Sequence, residues 1–281
     1  MASDLRSADL AIGIDFGGSG IKGAVVNIRT GEFVGDRVRI PTPQPSVPRE
    51  VIAVMQTVVA RLTEQLSAGA YGLSESALGQ LPVGVGVPAA TRGGAVLTAA
   101  NIDSAWIGFP AEREMELAMG RCVAVGNDAD VAGIAELRFG AGKGQGGTII
   151  VLTIGTGMGT ALFTEGHLLP NTELGHIEMK GRDAEERVAE SGRARFELSW
   201  KEWALGFNDY LLQLERLLWP DLFILGGGAS KRSDNYMQYV TVKTPVVIAT
   251  LKNNAGIVGG ALIAHERQAR VAVGMAGEPF S

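Results

Sequence analysis

The sequence has a single cysteine, Cys122. That excludes a disulfide framework and a cysteine-rich zinc site, and it fits a reducing compartment. Within the apolar stretch Cys122-Val-Ala-Val, the plain reading of this thiol is a buried strand residue. Long apolar runs are also missing. None approaches the roughly 18–20 residues that a membrane span needs, and the polar start Met1-Ala-Ser-Asp-Leu-Arg-Ser-Ala-Asp lacks a signal-peptide core. A cytoplasmic protein without a membrane partner is expected. Nor is there an excess of positive charge. A formal net charge of −5 argues against wholesale nucleic-acid binding, although it leaves room for a local basic patch.

What is present is ordinary globular composition, 46% hydrophobic and 20% charged over 281 residues. That length suggests two domains or lobes, large enough to bury a sizeable core. Residues 10–16, 21–28 and 33–40 read as a meander of strands separated by Gly17-Gly-Ser-Gly20 and Thr30-Gly-Glu32. After a proline-rich connector, Arg49 to Ser67 has helical spacing, with Val51, Val54, Val58, Leu62 and Leu66 on one face. Pro82 to Pro88 and Cys122 to Val125 read as strands, Phe109 to Met119 and Val131 to Phe139 as helices, and Gly140 to Gly147 as a mobile loop. Ile149 to Phe163 then repeats strand, glycine turn and strand, so two related lobes facing a cleft are expected. Residues 184–218 read as helical, Leu222 to Leu225 as a strand meeting Gly226-Gly-Gly228, and Gly256 to Arg267 as a final helix. The expected division is a smaller N-terminal α/β lobe over 10–125 and a larger C-terminal one over 126–267. The last helix is free to return to the first lobe, and 1–9 and 268–281 are tails.

Several motifs carry chemistry. Gly18-Ser-Gly20-Ile-Lys-Gly23 fits the dinucleotide pattern, but β-branched residues follow it where that site needs a helix. A Walker loop fails at Lys143, which is followed by Gly144 instead of serine or threonine. What remains is a hairpin whose glycines let backbone N–H groups reach phosphate oxygens. In that reading Asp15 holds magnesium through water; the alternative is an ordinary turn with a surface Asp. Gly155-Thr-Gly-Met-Gly159, with hydroxyls from Thr153 and Thr156, is a second such turn. Asn127-Asp128 at a strand end offers a general base or a helix N-cap. Glu173-Leu-Gly-His176 offers two groups for sugar hydroxyls, or a structural histidine. Trp106, near Asn101 and Asp103, shapes a pocket or sits in the core. His167 and His265 read as structural.

Taken together, from about Ala11 to Ala264, these residues resemble the ROK family (repressors, open reading frames and kinases). The segments that carry the resemblance are Ile14-Asp-Phe-Gly-Gly-Ser-Gly-Ile-Lys-Gly-Ala24, Leu152 to Leu162, and Leu225-Gly-Gly-Gly-Ala-Ser230. The form Gly-Gly-Ser-Gly-Ile-Lys-Gly is close to that of the actinobacterial polyphosphate glucokinases within the family. The resemblance implies a two-lobed α/β fold of the actin-like, hexokinase-like ATPase class, with duplicated ribonuclease H-like lobes and a central cleft. It implies a hexose kinase using polyphosphate, ATP or both on glucose, with mannose a further acceptor and a homodimer as assembly.

Residue by residue, it implies Asp128 as catalytic base and Asn101, Asn127, Asp128, Glu173 and His176 as sugar ligands. Phosphates fall to Asp15, Gly17, Gly18, Ser19, Gly20, Lys22, Thr153, Gly155, Thr156 and Gly157, the nucleotide to Gly226, Gly227 and Gly228, and Mg2+ to Asp15. Many members follow Gly-His with a cysteine-rich zinc site. Here Ile177-Glu-Met-Lys-Gly-Arg-Asp183 follows His176 without cysteine, so no structural zinc is expected. A polyphosphate groove needs cations, for which Lys22, Arg138, Lys143, Lys231 and Arg232 are candidates. Rival readings are a strictly ATP-dependent kinase and a non-catalytic sugar-sensing regulator. The retained Asp128 and the absence of a DNA-binding segment before the first strand argue against the regulator.

Overall fold

The computed structural model describes residues 6–69 and 71–274. Residues up to Ala135 and those from Asn254 onward form one compact unit, and Glu136–Asn253 form a second. The chain begins with the expected meander, β1 (Leu10–Gly17), β2 (Gly20–Asn27) and β3 (Phe33–Ile40). Helix α1 (Pro48–Ala68) has proline in its first turn and buries Val51, Met55, Val58, Leu62 and Leu66. A short α2 (Glu75–Gly79), capped by Ser74, precedes β4 (Val83–Val87) and the small hairpin β5 (Thr91–Arg92) and β6 (Ala95–Val96). Then come α3 (Ala111–Met119), β7 (Val123–Asn127) and α4 (Asp128–Phe139).

The second unit holds β8 (Thr148–Ile154), β9 (Met158–Thr164), β10 (His167–Leu169), and a hairpin of β11 (Glu178–Met179) and β12 (Arg182–Asp183). Helices α5 (Glu185–Val188), α6 (Glu190–Arg195) and α7 (Trp200–Leu218) follow. Strands β13 (Leu222–Gly227) and β14 (Val246–Ile248) complete it. Helix α8 (Ala255–Ala272) belongs to the first unit.

The two five-stranded sheets have one topology. In the first the order is β3-β2-β1-β4-β7 and in the second β10-β9-β8-β13-β14. In each, a three-stranded antiparallel meander is extended by two parallel strands. The internal repeat seen in the sequence is thus a repeat of the whole sheet. Strands β1, β4, β8 and β13 are almost wholly apolar because both faces of each sheet are covered. In the first unit α8 packs on β1, β4 and β7. Glycine makes that approach possible: a Cβ at Gly13 would lie 1.7 Å from the Ile257 carbonyl oxygen, and one at Gly84 1.7 Å from that of Gly260.

Several expectations need correction. The stretch 184–218 is three helices, because Ala189 is extended between α5 and α6 and Ser199 opens α7 with a capping box to Glu202. Helix α4 begins at Asp128 rather than Val131. Helix α8 runs to Ala272, so Gln268–Ala272 are helical rather than tail; residues 1–5 and 275–281 of the expected tails lie outside the described residues. Cys122 is half-buried, one residue before β7, and burial raises its pKa. The Gly140–Gly147 loop is pinned: the Gly140 and Gly142 N–H groups bond the Glu136 carbonyl, and the Ala141 N–H bonds Glu136 Oε2 at 2.8 Å.

Candidate functional site

In the first unit the candidate residues gather at one edge of the sheet, the carboxyl ends of the parallel strands β1, β4 and β7. Asp15 on β1 lies beside Gly86 of β4, and Gly86 lies beside Gly126 of β7. Asp128 follows β7 directly and is half-buried, its Cα 3.5 Å from where a Gly86 Cβ would stand. Asp15 and Asp128 therefore both neighbour Gly86 of the middle strand, at the edge where open α/β sheets bind ligands. Asp15 accepts from Lys22 Nζ at 2.8 Å; the two are register partners across the hairpin. Gly17 pairs with Gly20, so Gly18-Ser19 is a two-residue turn. Side chains hold this turn by its carbonyls: Thr42 Oγ1 donates to Gly17 at 2.6 Å and Arg39 Nη2 to Ser19 at 3.3 Å.

Asn127 serves as the cap of α4, the alternative left open by the sequence. Its Oδ1 accepts from the Ala129 and Asp130 N–H groups at 2.9 and 3.1 Å, and its Nδ2 donates to the Ala89 carbonyl at 3.2 Å. This capping makes Asp128 the first residue of the helix. Asn101 is exposed, ahead of a 3-10 turn at Ser104–Trp106. Trp106 is a core residue, fully buried between Phe16 and Phe109, and its Nε1 donates to the Ser46 carbonyl at 2.7 Å. It anchors the segment that carries Asn101.

In the second unit, the candidate phosphate turn Gly155-Thr156-Gly157 joins β8 to β9, the Gly155 N–H bonding the Gly157 carbonyl at 2.9 Å. Gly226 pairs with Thr153 and Gly227 with Ile154 across β13 and β8. The fold thus brings the triple glycine beside the second phosphate turn. Gly227 has φ +76°, and a Cβ there would meet the Ile154 carbonyl oxygen at 2.3 Å, so glycine is required. Glu173 precedes the 3-10 turn Leu174–His176 and His176 ends it, and both are exposed. Thr160 of β9 pins this turn: its hydroxyl pairs with the Thr172 carbonyl and accepts the Leu174 N–H at 3.1 Å. His176 Nδ1 lies 2.7 Å from Asp183 Oδ2. That bond, helped by the Glu185 and Glu173 carboxylates and opposed by partial burial, holds the imidazole above the ordinary histidine value. Arg138, Lys143, Lys231 and Arg232 are exposed.

Sequence reasoning missed three residues. Asp183 orients His176 from the facing strand β12. Glu185 Oε2 accepts the Met158 N–H at 3.0 Å, tying the end of the second phosphate turn to the helix after β12. Glu136, 1% exposed, accepts N–H groups from Ala141, Thr250 and Leu251. Only the last carried a signal, an acidic residue inside an apolar helical stretch.

The model of the ROK family matches residues 11–193. The chain belongs to the ROK family. Within it, the chain is 43% identical to the polyphosphate glucokinase of Mycobacterium tuberculosis (strain CDC 1551 / Oshkosh) over 251 residues, 89% of each chain. It is 44% identical to the inorganic polyphosphate/ATP-glucomannokinase of Arthrobacter sp. strain KM, whose crystal structure superposes with a TM-score of 0.83 over 90% of this chain and 97% of that one. A ROK family glucokinase from Streptomyces griseus, solved with glucose and AMPPNP, shares 24% identity and a TM-score of 0.74 over 92% and 99% of the two chains. The fold is that of the ROK sugar kinases, the actin-like ATPase class expected from the motifs.

Proposed function

We propose that this ROK-family chain is a hexose kinase that transfers a phosphoryl group from inorganic polyphosphate or ATP to the 6-hydroxyl of glucose, with mannose as a second acceptor. The observation that carries the reading is its likeness to the polyphosphate-named enzymes over nearly the whole chain. The phosphate hairpin at 17–23 and the carboxylates at the sheet edge agree with it.

In the reaction, the sugar 6-oxygen attacks the terminal phosphorus while the bond to the leaving phosphate or nucleotide breaks. Asp128 takes the hydroxyl proton as the new P–O bond forms. Positioning does most of the remaining work. Asn101, Glu173 and His176 hold sugar hydroxyls, His176 through Nε2 because Nδ1 is committed to Asp183. Asn127 joins them as a sugar ligand and also sets the start of α4. Gly17, Gly18, Ser19, Gly20 and Lys22 grip one set of phosphates, and Thr153, Gly155, Thr156 and Gly157 another. Gly226, Gly227 and Gly228 are the candidate adenosine contacts.

Among the described residues no cluster of three or more His, Cys, Asp or Glu is placed to hold a metal. Magnesium needs no such cluster, because it keeps its waters and is held by one or two carboxylates together with substrate phosphates. Asp15 would hold it through water, and the ion supplies neutralisation of phosphate charge. The working protein is a cytoplasmic homodimer without structural zinc.

A coupled assay crossing glucose and mannose with polyphosphate and ATP tests the reading. Glucose 6-phosphate from both donors is expected. Turnover with ATP alone favours the strictly ATP-dependent rival, and none with either donor favours the sugar sensor.

A further inference from the structure

We infer that Arg39 and Arg37 of β3 form a cationic track that holds the polyphosphate chain beyond the phosphates at Lys22. The inference rests on polyphosphate being a donor, as proposed above. Strand β3 is the edge of its sheet, next to β2. Asp15 pairs with Lys22 across β1 and β2, and Lys22 pairs with Arg39 across β2 and β3. Register partners point to the same face of a sheet, so the three side chains form one row. Arg37 lies where the β2–β3 register shifts and has no partner on β2, but with Val38 buried between them Arg37 and Arg39 both turn away from the α1 side. Its Nη1 donates to Asn254 Oδ1 at 3.4 Å, immediately before α8.

Arg39 reaches back over β2 to the phosphate turn, donating Nη2 to the Ser19 carbonyl at 3.3 Å. Its guanidinium atoms lie 2.9–3.1 Å from the point a Cβ on Gly20 would occupy. Gly20 therefore admits the arginine as well as closing the hairpin.

Placing Lys22 directly opposite Arg39 is unfavourable for the sheet, because like charges on facing strands repel. Asp15 answers one of the two charges. Among the described residues, no ion pair to a carboxylate involves Arg37 or Arg39. Both are exposed, and both keep N–H donors beyond the single bond each makes. Two guanidinium forks beside a phosphate-gripping turn suit phosphate oxygens bidentately.

Polyphosphate has no base to recognise, only a repeated tetrahedral anion. A row of cations set about 5 Å apart across strands and about 7 Å apart along one binds such a chain in any register. ATP ends after three phosphates and draws less on the row.

The test is steady-state kinetics of Arg39→Gln, Arg37→Gln and the double variant with glucose saturating. Long-chain polyphosphate and ATP are compared as donors over roughly 50–200 mM salt. The KM for polyphosphate is expected to rise about tenfold for Arg39→Gln, the worth of about 1.4 kcal/mol. The rise for ATP should be at least fivefold smaller. The slope of log kcat/KM against log salt should flatten by about 0.7 per arginine removed, by analogy with single-stranded nucleic acid. Lengthening the polyphosphate chain should lower KM in the parent protein and do so less in the double variant. Arg39→Lys, which keeps the charge, should recover much of the affinity. Equal losses with both donors, or an unchanged salt slope and chain-length dependence, would overturn the track. A parent protein that uses ATP and never polyphosphate would instead overturn the donor reading, and the track with it.

Discussion

At the scale of single residues, the proposal gives Asp128 the hydroxyl proton and His176 a sugar hydroxyl. Asp128→Asn should fold, since both residues suit the first turn of a helix. Its turnover should fall by about 10²–10⁴-fold while glucose still binds, as calorimetry can show; a variant keeping more than about a tenth of the parent turnover would remove Asp128 as base. His176 gives a pH prediction. Its folded pKa is raised, mainly by Asp183, so the stability from this contact is full below the ordinary histidine value near 6.5. It is lost as pH rises through the folded value. Titrating the imidazole by NMR should give a midpoint above that ordinary value, moving down in Asp183→Asn. An unmoved midpoint would show that Asp183 does not act on His176. Cys122 is the single cysteine and cannot build a cysteine-rich zinc site, so elemental analysis of purified protein should find no stoichiometric zinc; one zinc per chain would contradict that expectation.

At the scale of elements, the second phosphate turn depends on what β13 presents to it. Gly227→Ala puts a methyl group against the Ile154 carbonyl and a side chain at φ +76°. The backbone strain alone is about 1–3 kcal/mol, so a lower melting temperature and a raised KM for ATP are expected. A variant with both unchanged would disprove the close approach of β13 to the turn. The hairpins of both units were legible in the sequence because β-branched runs broken by glycine specify strand, turn and strand locally. The place of Asp128 at the end of a strand was legible too. What was not legible depends on residues far apart in the chain. The capping of α4 by Asn127 shows only in its bonds to the Ala89, Ala129 and Asp130 backbone. Asp183 meets His176 only because β11 and β12 fold back, and Arg39 faces Lys22 only through sheet register. The break of 184–218 at Ala189 escaped notice because no proline or glycine marks it.

At the scale of the whole molecule, one sheet topology occurs twice, and each copy ends its first hairpin in a glycine turn suited to phosphate. Duplication explains why two glycine turns recur at matching places in one chain. Family membership then joins these turns to sugar phosphorylation, and the form of the first hairpin points to a donor without a base. The most direct measurement is phosphorus NMR of nucleotide-free protein mixed with glucose, magnesium and long-chain polyphosphate. The phosphomonoester resonance of glucose 6-phosphate should grow as polyphosphate is consumed, and it should fail to appear with Asp128→Asn on the same timescale. If no monoester forms from polyphosphate while added ATP yields it readily, polyphosphate is not a donor for this protein.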